Sequence, residues 1–308
     1  MLQAHIAMLV VALIYGGNFT VAKIAMGSGH LPPMAFIWYR ALTGYVLFTL
    51  LHQLFVREKV ARKDLFWLLL CAIFGVAINQ SFFFIGLNWT TPVNASLIMT
   101  TSPLFVLLAA NVLLKENISR QKILGIIFGA TGAGILILLG QKLVYHPQQI
   151  TGDLMVLVNA GSYGLYLVLV KRLMSTYQPL TVIKWVFGFG LLLVTPFAWS
   201  DLGAVRWEAF QTDTWFSFLY VLIGTTFLAY LLNTWAMTKV SPTLVGTYMY
   251  LQPLFATIIA LLAGKDTLPW IKVFSGILIL TGVYFSSREG AINFSKKMQK
   301  NSAKIEQQ

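Results

Sequence analysis

The tripeptide Pro103-Leu104-Phe105 recurs 150 residues later as Pro253-Leu254-Phe255, and both copies lie in long apolar sequence. Over positions 92–135 the chain matches itself at this offset at 11 positions without a gap, where its composition would give roughly 4 by chance. The other identical pairs are Pro92/Pro242, Met99/Met249, Ala110/Ala260, Lys115/Lys265, Lys122/Lys272, Ile127/Ile277, Thr131/Thr281 and Gly132/Gly282. A duplicated apolar unit is typical of transporters, because alternating access uses two similar halves that face each other.

The composition predicts an integral membrane protein. Apolar residues make up 57% of the 308 residues, charged residues only 10%, and the mean hydropathy is +0.74. A soluble chain of this size carries far more surface charge. The single cysteine, Cys71, excludes a disulfide framework, and neither it nor the four scattered histidines predicts a metal site or cofactor. The net charge of +12 falls in short loops and the tail, which indicates a membrane surface as partner and not nucleic acid.

Ten apolar stretches are long enough to cross about 30 Å of hydrocarbon, which takes about 20 residues. We expect the first to be a retained helix and not a cleaved secretory signal, because Met1 to His5 contain no Lys or Arg and no A-x-A site follows. The chain is therefore predicted to be an all-α membrane protein with ten transmembrane helices. The expected spans are about 5–26, 33–55, 65–87, 93–114, 121–140, 153–173, 179–200, 213–237, 243–263 and 270–287.

The distribution of Lys and Arg among the loops predicts the orientation. With the N-terminus inside, fifteen basic residues face the cytoplasm and only Lys142, Arg206, Lys265 and Lys272 face the other side. Five helices per repeat is an odd number, so the second repeat runs through the membrane upside down. We expect inverted five-helix repeats at 1–141 and 150–288, followed by a basic cytoplasmic tail at 289–308. The fifteen are Arg57, Lys59, Arg62, Lys63, Lys115, Arg120, Lys122, Lys171, Arg172, Lys239, Arg288, Lys296, Lys297, Lys300 and Lys304.

The ionisable side chains within the predicted spans are all basic. Exporters that exchange protons for cationic drugs need a membrane-buried carboxylate, so we expect a neutral, zwitterionic or anionic metabolite. The basic residues are Lys23, Arg40 and Lys184, whereas the nearest acidic residues, at span edges, are Asp64, Asp153 and Asp213.

Lys23 and Arg40 differ in depth. Lys23 and its counterpart Lys171 lie near the C-terminal ends of their helices, where a cation suits the helix dipole and the side chain extends to the interface. Arg40 is about seven residues inside its span, where a lone arginine costs about 2.5 kcal/mol or more unless it is paired or solvated. The position that corresponds to it in the second repeat is Val186. Two hypotheses remain for Arg40, a substrate contact or structural pairing with carbonyl and amide groups.

Polar and aromatic side chains within the spans form the candidate substrate cavity. Each amide is either an interhelical contact or a cavity residue, and each tyrosine either packs or lines a wall with a hydrogen-bonding tip. As a group they lie on predicted helices that meet where the repeats face each other. The candidate cavity residues are Tyr15, Asn18, Arg40, Asn79, Gln80, Tyr163, Tyr166, Asn233, Tyr248 and Gln252, with Asn159 as a further amide and Tyr230, Trp235 and Tyr250 as further aromatic walls.

The paired prolines Pro103 and Pro253 each remove a helical hydrogen bond in mid-span. Matched interruptions point to a binding site or a hinge, with a static kink as the alternative. Small residues line one side of two further predicted helices, at Gly125 to Gly134 and at Gly276 to Gly282. Such faces predict close helix packing, inside the molecule or in a homodimer.

Catalytic and nucleotide-binding motifs are absent from the sequence. No phosphate-binding glycine loop precedes a Lys-Ser or Lys-Thr pair, and there is no nucleophile elbow or H-E-x-x-H. We therefore expect no enzymatic activity and no ATP-driven step.

The chain resembles the EamA domains of the drug/metabolite transporter superfamily over nearly its whole length. The resemblance rests on the proline-centred helix, an acidic residue at its end and a glycine-bearing last helix, in both repeats, and on Tyr15-Gly16-Gly17-Asn18-Phe19, with Tyr where Trp is common. Arg40 falls where the family's second helix often has Arg. The resemblance implies a ten-helix carrier in a bacterial inner membrane, with both termini in the cytoplasm and a cavity lined by helices 1, 3, 4, 6, 8 and 9. It further implies an exporter of amino acids or related metabolites.

Two other functions remain open at this stage. A sugar-phosphate or nucleotide-sugar antiporter of the same superfamily needs several deep basic residues in both halves, whereas Lys23 and Arg40 lie in one half. A non-transporting membrane scaffold or integral enzyme is the other.

The charge distribution gives a testable topology. In protein whose Cys71 has been replaced, cysteines introduced at Ser28 and at Lys59 should react with an impermeant thiol reagent from opposite sides of the membrane. Equal reaction of both positions from one side would rule out the inverted-repeat arrangement.

Overall fold

The computed structural model describes residues 2–27, 29–56, 58–114, 120–139, 147–237, 248, 251–282 and 284–285, and all regular structure within these ranges is helical. The tail at 289–308 and the loops at 115–119 and 238–247 lie outside the described residues. The prediction of an all-helical membrane protein is confirmed for the described part of the chain.

Seven helices are long and apolar enough to cross a membrane, and three further apolar helices are shorter. The count of ten full spans is therefore confirmed only in part. In chain order the helices are α1 (Leu2–Gly27), α2 (Pro33–Phe55), α3 (Arg62–Trp89), α4 in two segments (Pro92–Met99 and Ser102–Leu114), α5 (Arg120–Leu139), α6 (Pro147–Met174), α7 (Pro179–Gly203), α8 (Thr212–Leu219, Tyr220–Leu228 and Ala229–Met237), α9 (Gln252–Leu262) and α10 (Trp270–Gly282).

Prolines at the first helical position define where several helices begin. Pro33, Pro92, Pro147 and Pro179 each start a helix, because proline lacks the N–H that a helix start leaves unpaired anyway. Pro147 starts α6 six residues before the predicted span, so Asp153 lies inside α6 and is fully buried. Polar residues therefore extend α6 beyond the predicted apolar span, whose edge is at Asp153.

Two helices contain π-helical stretches at positions that correspond in the repeats. These are Ile73–Ala77 in α3 and Tyr220–Leu228 in α8, and a shift of 150 residues superimposes the first on the second. In α8 the Thr226 hydroxyl donates to the Val221 carbonyl five residues earlier at 3.0 Å. π-Helical stretches are rare in proteins, and many of those that occur lie at functional sites.

A helical segment begins one residue before each of the paired prolines. In α4 the first segment ends at Met99 and the second begins at Ser102, one residue before Pro103, while α9 begins at Gln252, one residue before Pro253. The Ser102 hydroxyl donates to the Met99 carbonyl at 2.7 Å. A carbonyl freed by the interruption of α4 is thus paired within the protein, as an apolar environment requires. Met249 lies outside the described residues.

Corresponding residues of the two repeats make corresponding contacts. A Cβ on Gly16 would lie 2.6 Å from the Phe255 Cβ, and a Cβ on Gly164 would lie 2.8 Å from the Phe105 Cβ. Glycine is needed at both positions because α1 packs closely on α9, and α6 on the second segment of α4.

The glycines of α5 and α10 pack against each other inside the molecule. A Cβ on Gly132 would lie 2.9 Å from the Ile279 nitrogen, and one on Gly282 would meet the backbone of Gly125 and Gly129. These residues therefore serve internal helix packing, which was one of the two uses predicted for them.

Large apolar side chains cover the outside of the helices. Leu262, Trp270, Phe197 and Trp199 are each at least 74% exposed. Water-exposed apolar surface on this scale is avoided, so lipid is the medium that these residues contact. The interior packs aromatic side chains instead, such as Phe36 against Phe84 and Phe218.

The contact between Gly16 and Phe255 can be tested by substitution. Gly16→Ala should destabilise the protein by about 1–3 kcal/mol, because the added methyl group overpacks the contact between α1 and α9. Gly134→Ala is the control, since a Cβ there meets nothing within 4 Å. Melting temperatures of the purified variants in detergent should fall for the first substitution only. An equal fall for both would contradict the close approach.

Candidate functional site

Arg40 lies where α2, α3 and α8 meet, and its side chain is buried. Its Nε donates to the Thr226 hydroxyl at 2.8 Å, and its guanidinium carbon lies 5.4 Å from the centroid of the Phe84 ring. Thr226 belongs to the π-helical stretch of α8, so the irregular backbone places a hydroxyl where the arginine needs an acceptor. The aromatic face adds a favourable cation–π contact.

Two tyrosines lie near the arginine and two more lie near those, and we call the four the central tyrosine cluster: Tyr15 (α1), Tyr163 and Tyr166 (α6) and Tyr230 (α8). Tyr15 and Tyr230 lie within electrostatic range of the Arg40 guanidinium, and Tyr15, Tyr163 and Tyr166 lie within range of one another. The Tyr163 and Tyr166 rings are 6.1 Å apart. Both repeats contribute, so the cluster stands between the two halves of the sequence.

The N-terminal ends of two short helices reach the same level of the protein. The Gln252 carbonyl at the start of α9 would be 3.0 Å from a Cβ on Gly16, which follows Tyr15 in the chain. The second segment of α4 contacts Gly164, which follows Tyr163, through Phe105. Both helices therefore begin close to residues that neighbour members of the tyrosine cluster in the sequence.

Four buried amide oxygens near this cluster have no hydrogen-bond partner in the described part of the chain. They are Asn18 Oδ1, Gln80 Oε1, Asn159 Oδ1 and Asn233 Oδ1. Each residue lies one helical turn from a member of the site, because Asn18 and Asn233 follow Tyr15 and Tyr230 by three positions, and Gln80 and Asn159 precede Phe84 and Tyr163 by four. Unpaired acceptors in a buried region are costly, which favours a ligand that donates hydrogen bonds to them.

The other candidate cavity residues lie elsewhere or make other contacts. The Asn79 and Asn159 side chains each donate to the backbone carbonyl of the other residue, at 3.3 and 2.7 Å, and so join α3 to α6. The Tyr248 hydroxyl lies 2.7 Å from His5 Nδ1. His5 is ten residues before Tyr15 in α1, which is about 15 Å along the helix axis. Gln252 contributes its backbone against Gly16.

The charge at the site comes from one repeat only. The sequence counterparts of Arg40 and Thr226 are Val186 and Val76, and these two valines belong to one buried apolar cluster. Each pair takes one residue from each repeat, so the polar pair at the site corresponds to an apolar pair elsewhere in the protein. Neither Thr226 nor Phe84 has a distinguishing signal in the sequence. A threonine is common in apolar helices, and Phe84 is one of three consecutive phenylalanines (82–84).

Lys23 differs from its expected behaviour. It was predicted to extend to the interface from the end of its own helix, but its Nζ donates to the carbonyls of Leu87 at 3.2 Å, Asn88 at 3.5 Å and Thr90. Lys23 therefore caps the C-terminal end of α3, where the partial negative charge of the helix dipole favours a cation.

These features define a class of protein. A multi-pass helical membrane protein with paired interruptions and an interior polar cluster between two sequence repeats has the features of a membrane transporter. The chain belongs to the EamA-like transporter family, whose model matches residues 2–138 and 150–288. The predicted family resemblance is confirmed.

Known relatives agree with this assignment. The chain is 28% identical over 288 residues to an uncharacterized transporter of Archaeoglobus fulgidus, covering 92% of this chain and 97% of that protein. It is 25% identical over 309 residues to the uncharacterized transporter YyaM of Bacillus subtilis, covering 99% of each. It is 26% identical to Protein WALLS ARE THIN 1 of Arabidopsis thaliana, covering 92% of this chain and 82% of that protein.

A solved structure shares the fold. A crystal structure described only as that of a protein superimposes with a TM-score of 0.60 at 18% identity, covering 92% of this chain and 96% of that chain.

The reciprocal bonds of Asn79 and Asn159 predict a packing role for both residues. Asn79→Ala should lower the free energy of unfolding by about 0.5–2 kcal/mol, because interhelical hydrogen bonds in membranes contribute about that much, and should leave substrate affinity unchanged. Asn18→Ala is the matched substitution, since its amide oxygen is unpaired. It should weaken affinity with little change in stability. The melting temperature measures the loss of stability, and the rise in melting temperature on adding substrate measures affinity. A loss of affinity in Asn79→Ala with a loss of stability in Asn18→Ala would contradict the prediction.

Proposed function

We propose that this protein exports small polar metabolites, such as amino acids or related compounds, across a bacterial inner membrane. It does so by alternating access between inverted repeats at residues 1–141 and 150–288, with both termini in the cytoplasm. The observation that carries the proposal is the buried Arg40, held by Thr226 inside the central tyrosine cluster between the two repeats.

The chemistry of the site favours a substrate that carries an anionic group. Arg40 supplies positive charge, and the fully buried Asp153 accepts hydrogen bonds from Thr90 and Asn94 at another place. The unpaired amide oxygens of Asn18, Gln80 and Asn233 accept hydrogen bonds, as from an ammonium or amine group. An amino acid carries both groups, and tyrosine rings pack on its side chain.

The paired contacts favour movement of one half relative to the other. The contacts of Gly16 with Phe255 and of Gly164 with Phe105 are equivalent in the two repeats, and they join helices next to the tyrosine cluster. Because the two contacts are equivalent, each half can adopt the conformation of the other half while the site between them stays in place.

A phosphate-containing substrate fits the geometry less well. Binding of a phosphate dianion generally uses several cations, and Lys23 donates to carbonyl oxygens at the end of α3. Arg40 then remains as the positively charged side chain at the tyrosine cluster among the described residues. A single guanidinium matches a carboxylate, with which it forms two parallel hydrogen bonds.

Transport by the purified protein in proteoliposomes tests the proposal. Vesicles loaded with radiolabelled amino acids and related carboxylates should release at least one of them, and Arg40→Gln should reduce its apparent affinity by about 10–100-fold. The reason is that a hydrogen bond to a charged group contributes about 1.5–3 kcal/mol. Lys184→Gln is the matched control, because Lys184 lies beside Trp185 and away from the cluster.

Three outcomes would contradict the assignment of Arg40. Full transport by Arg40→Gln would remove it from the site. Failure of the variant to accumulate, with folding and transport restored together by second-site changes, would make it a structural residue. Equal losses in Arg40→Gln and Lys184→Gln would show a general effect of removing a membrane cation.

A further inference from the structure

The end of α3 and the start of α4 form a tip, residues 87–94, that is held by charged side chains from other helices. Lys23 of α1 donates to the carbonyls of Leu87, Asn88 and Thr90. This ammonium group is partly buried, so each of these bonds replaces contacts with water.

Asp153 of α6 holds the same tip from a second side. Its carboxylate is fully buried and accepts from the Thr90 hydroxyl and from the Asn94 amide, the latter at 3.1 Å to Oδ2. The backbones of α6 and α3 are also in close contact here, because a Cβ on Gly152 would lie 2.7 Å from the Gly86 carbonyl oxygen. There is consequently no space between α6 and the end of α3 for a substrate to pass.

Asp266 and Lys272 hold the tip from a third side. Asp266, in the loop before α10, accepts from the Val93 backbone N–H at 3.0 Å and thereby pairs an N–H at the start of α4. Lys272 of α10 forms a buried ion pair with Asp266 at 2.6 Å and donates to the Thr91 hydroxyl at 3.1 Å. Removing one partner of a buried ion pair is strongly destabilising, so Asp266 and Lys272 also fix the position of the tip.

The corresponding positions, which come from both repeats, keep the charged residues of this cluster in the sequence but not its polar acceptors and donors. Lys171, Lys122 and Glu116 correspond to Lys23, Lys272 and Asp266, whereas Thr90, Asn94 and Asp153 are replaced by Val240, Leu244 and His5. The hydroxyl–amide–carboxylate contact is thus specific to the end of the molecule where α1 and α3 terminate. The charge count predicts that this end faces away from the cytoplasm.

We propose that these contacts, which we name the tip clasp (Lys23, Thr90, Asn94, Asp153, Asp266 and Lys272), form the gate on that face of the transporter. The clasp joins α1, α6 and α10 to the α3–α4 tip while this end is closed, and it separates when the end opens. This inference rests on the proposed alternating access. Lys23, Asp153 and Asp266 act on transport through the equilibrium between the closed and open ends and do not contact the substrate.

The asymmetry between the repeats gives a decisive variant. Thr90→Val with Asn94→Leu installs the residues of the second repeat and removes both donors to Asp153 while keeping similar volumes. Spin labels at cysteines replacing Trp89 on the tip and Gln148 at the start of α6, in a Cys71→Ala background, report the distance across the clasp. Both labelled positions are exposed.

The double variant should raise the ratio of long-distance to short-distance populations at least about tenfold, which corresponds to about 1.4 kcal/mol. Asp64→Asn is the matched control, because Asp64 is a buried acid that accepts from the Tyr177 hydroxyl at 2.7 Å at the other end of α3. Its distance distribution across the clasp should equal that of the parent protein.

An unchanged distribution in the folded double variant would overturn the proposal. If that variant does not fold, Thr90→Val alone, which removes one hydroxyl, should still raise the ratio, and no change there would also overturn it. The distance measurement needs no substrate, so a shifted distribution without transport of any carboxylate tested would refute the proposed function and leave the gate intact.

Discussion

The backbone of a helix that crosses a lipid bilayer has no water to pair with, and the rest of this structure depends on that constraint. At several places where a helix is irregular or ends inside the described part of the protein, a nearby side chain pairs the exposed group. Ser102 pairs the Met99 carbonyl at the interruption of α4, and Thr226 pairs the Val221 carbonyl in the π-helical stretch of α8. Lys23 does the same for the end of α3.

The same constraint explains why irregular backbone and function coincide. A regular helix offers neither a free hydroxyl nor a helix end in the membrane interior, so a polar site needs an interruption. The π-helical stretch of α8 supplies Thr226 to Arg40, and α9 and the second segment of α4 pack closely on the helices that carry Tyr15 and Tyr163. Glycines such as Gly16 and Gly164 make these approaches possible, because a side chain there would collide with Phe255 or Phe105.

Duplication produced similar backbones and different chemistry. Both repeats have a helical segment that begins just before the paired proline, a π-helical stretch and the glycine contact, yet Arg40 corresponds to Val186 and Asp153 to His5. Under the proposed alternating access, similar halves exchange between two conformations. Different side chains give the site its charge and give one end of the molecule its clasp. Symmetry of the fold and asymmetry of the side chains thus have separate physical consequences.

The sequence alone determined the all-helical membrane class, the family and the repeat, because apolar length and a 150-residue offset are properties of the chain itself. It also picked out Arg40 and the tyrosines, since polar groups in apolar spans are costly enough to be conspicuous. Only the tertiary structure separated Asn79, which pairs with Asn159, from Asn18, and it joined Lys23 to α3 and Asp153 to Thr90. Those partners lie more than 60 residues apart, and which of them meet is decided by helix packing, which no local pattern encodes.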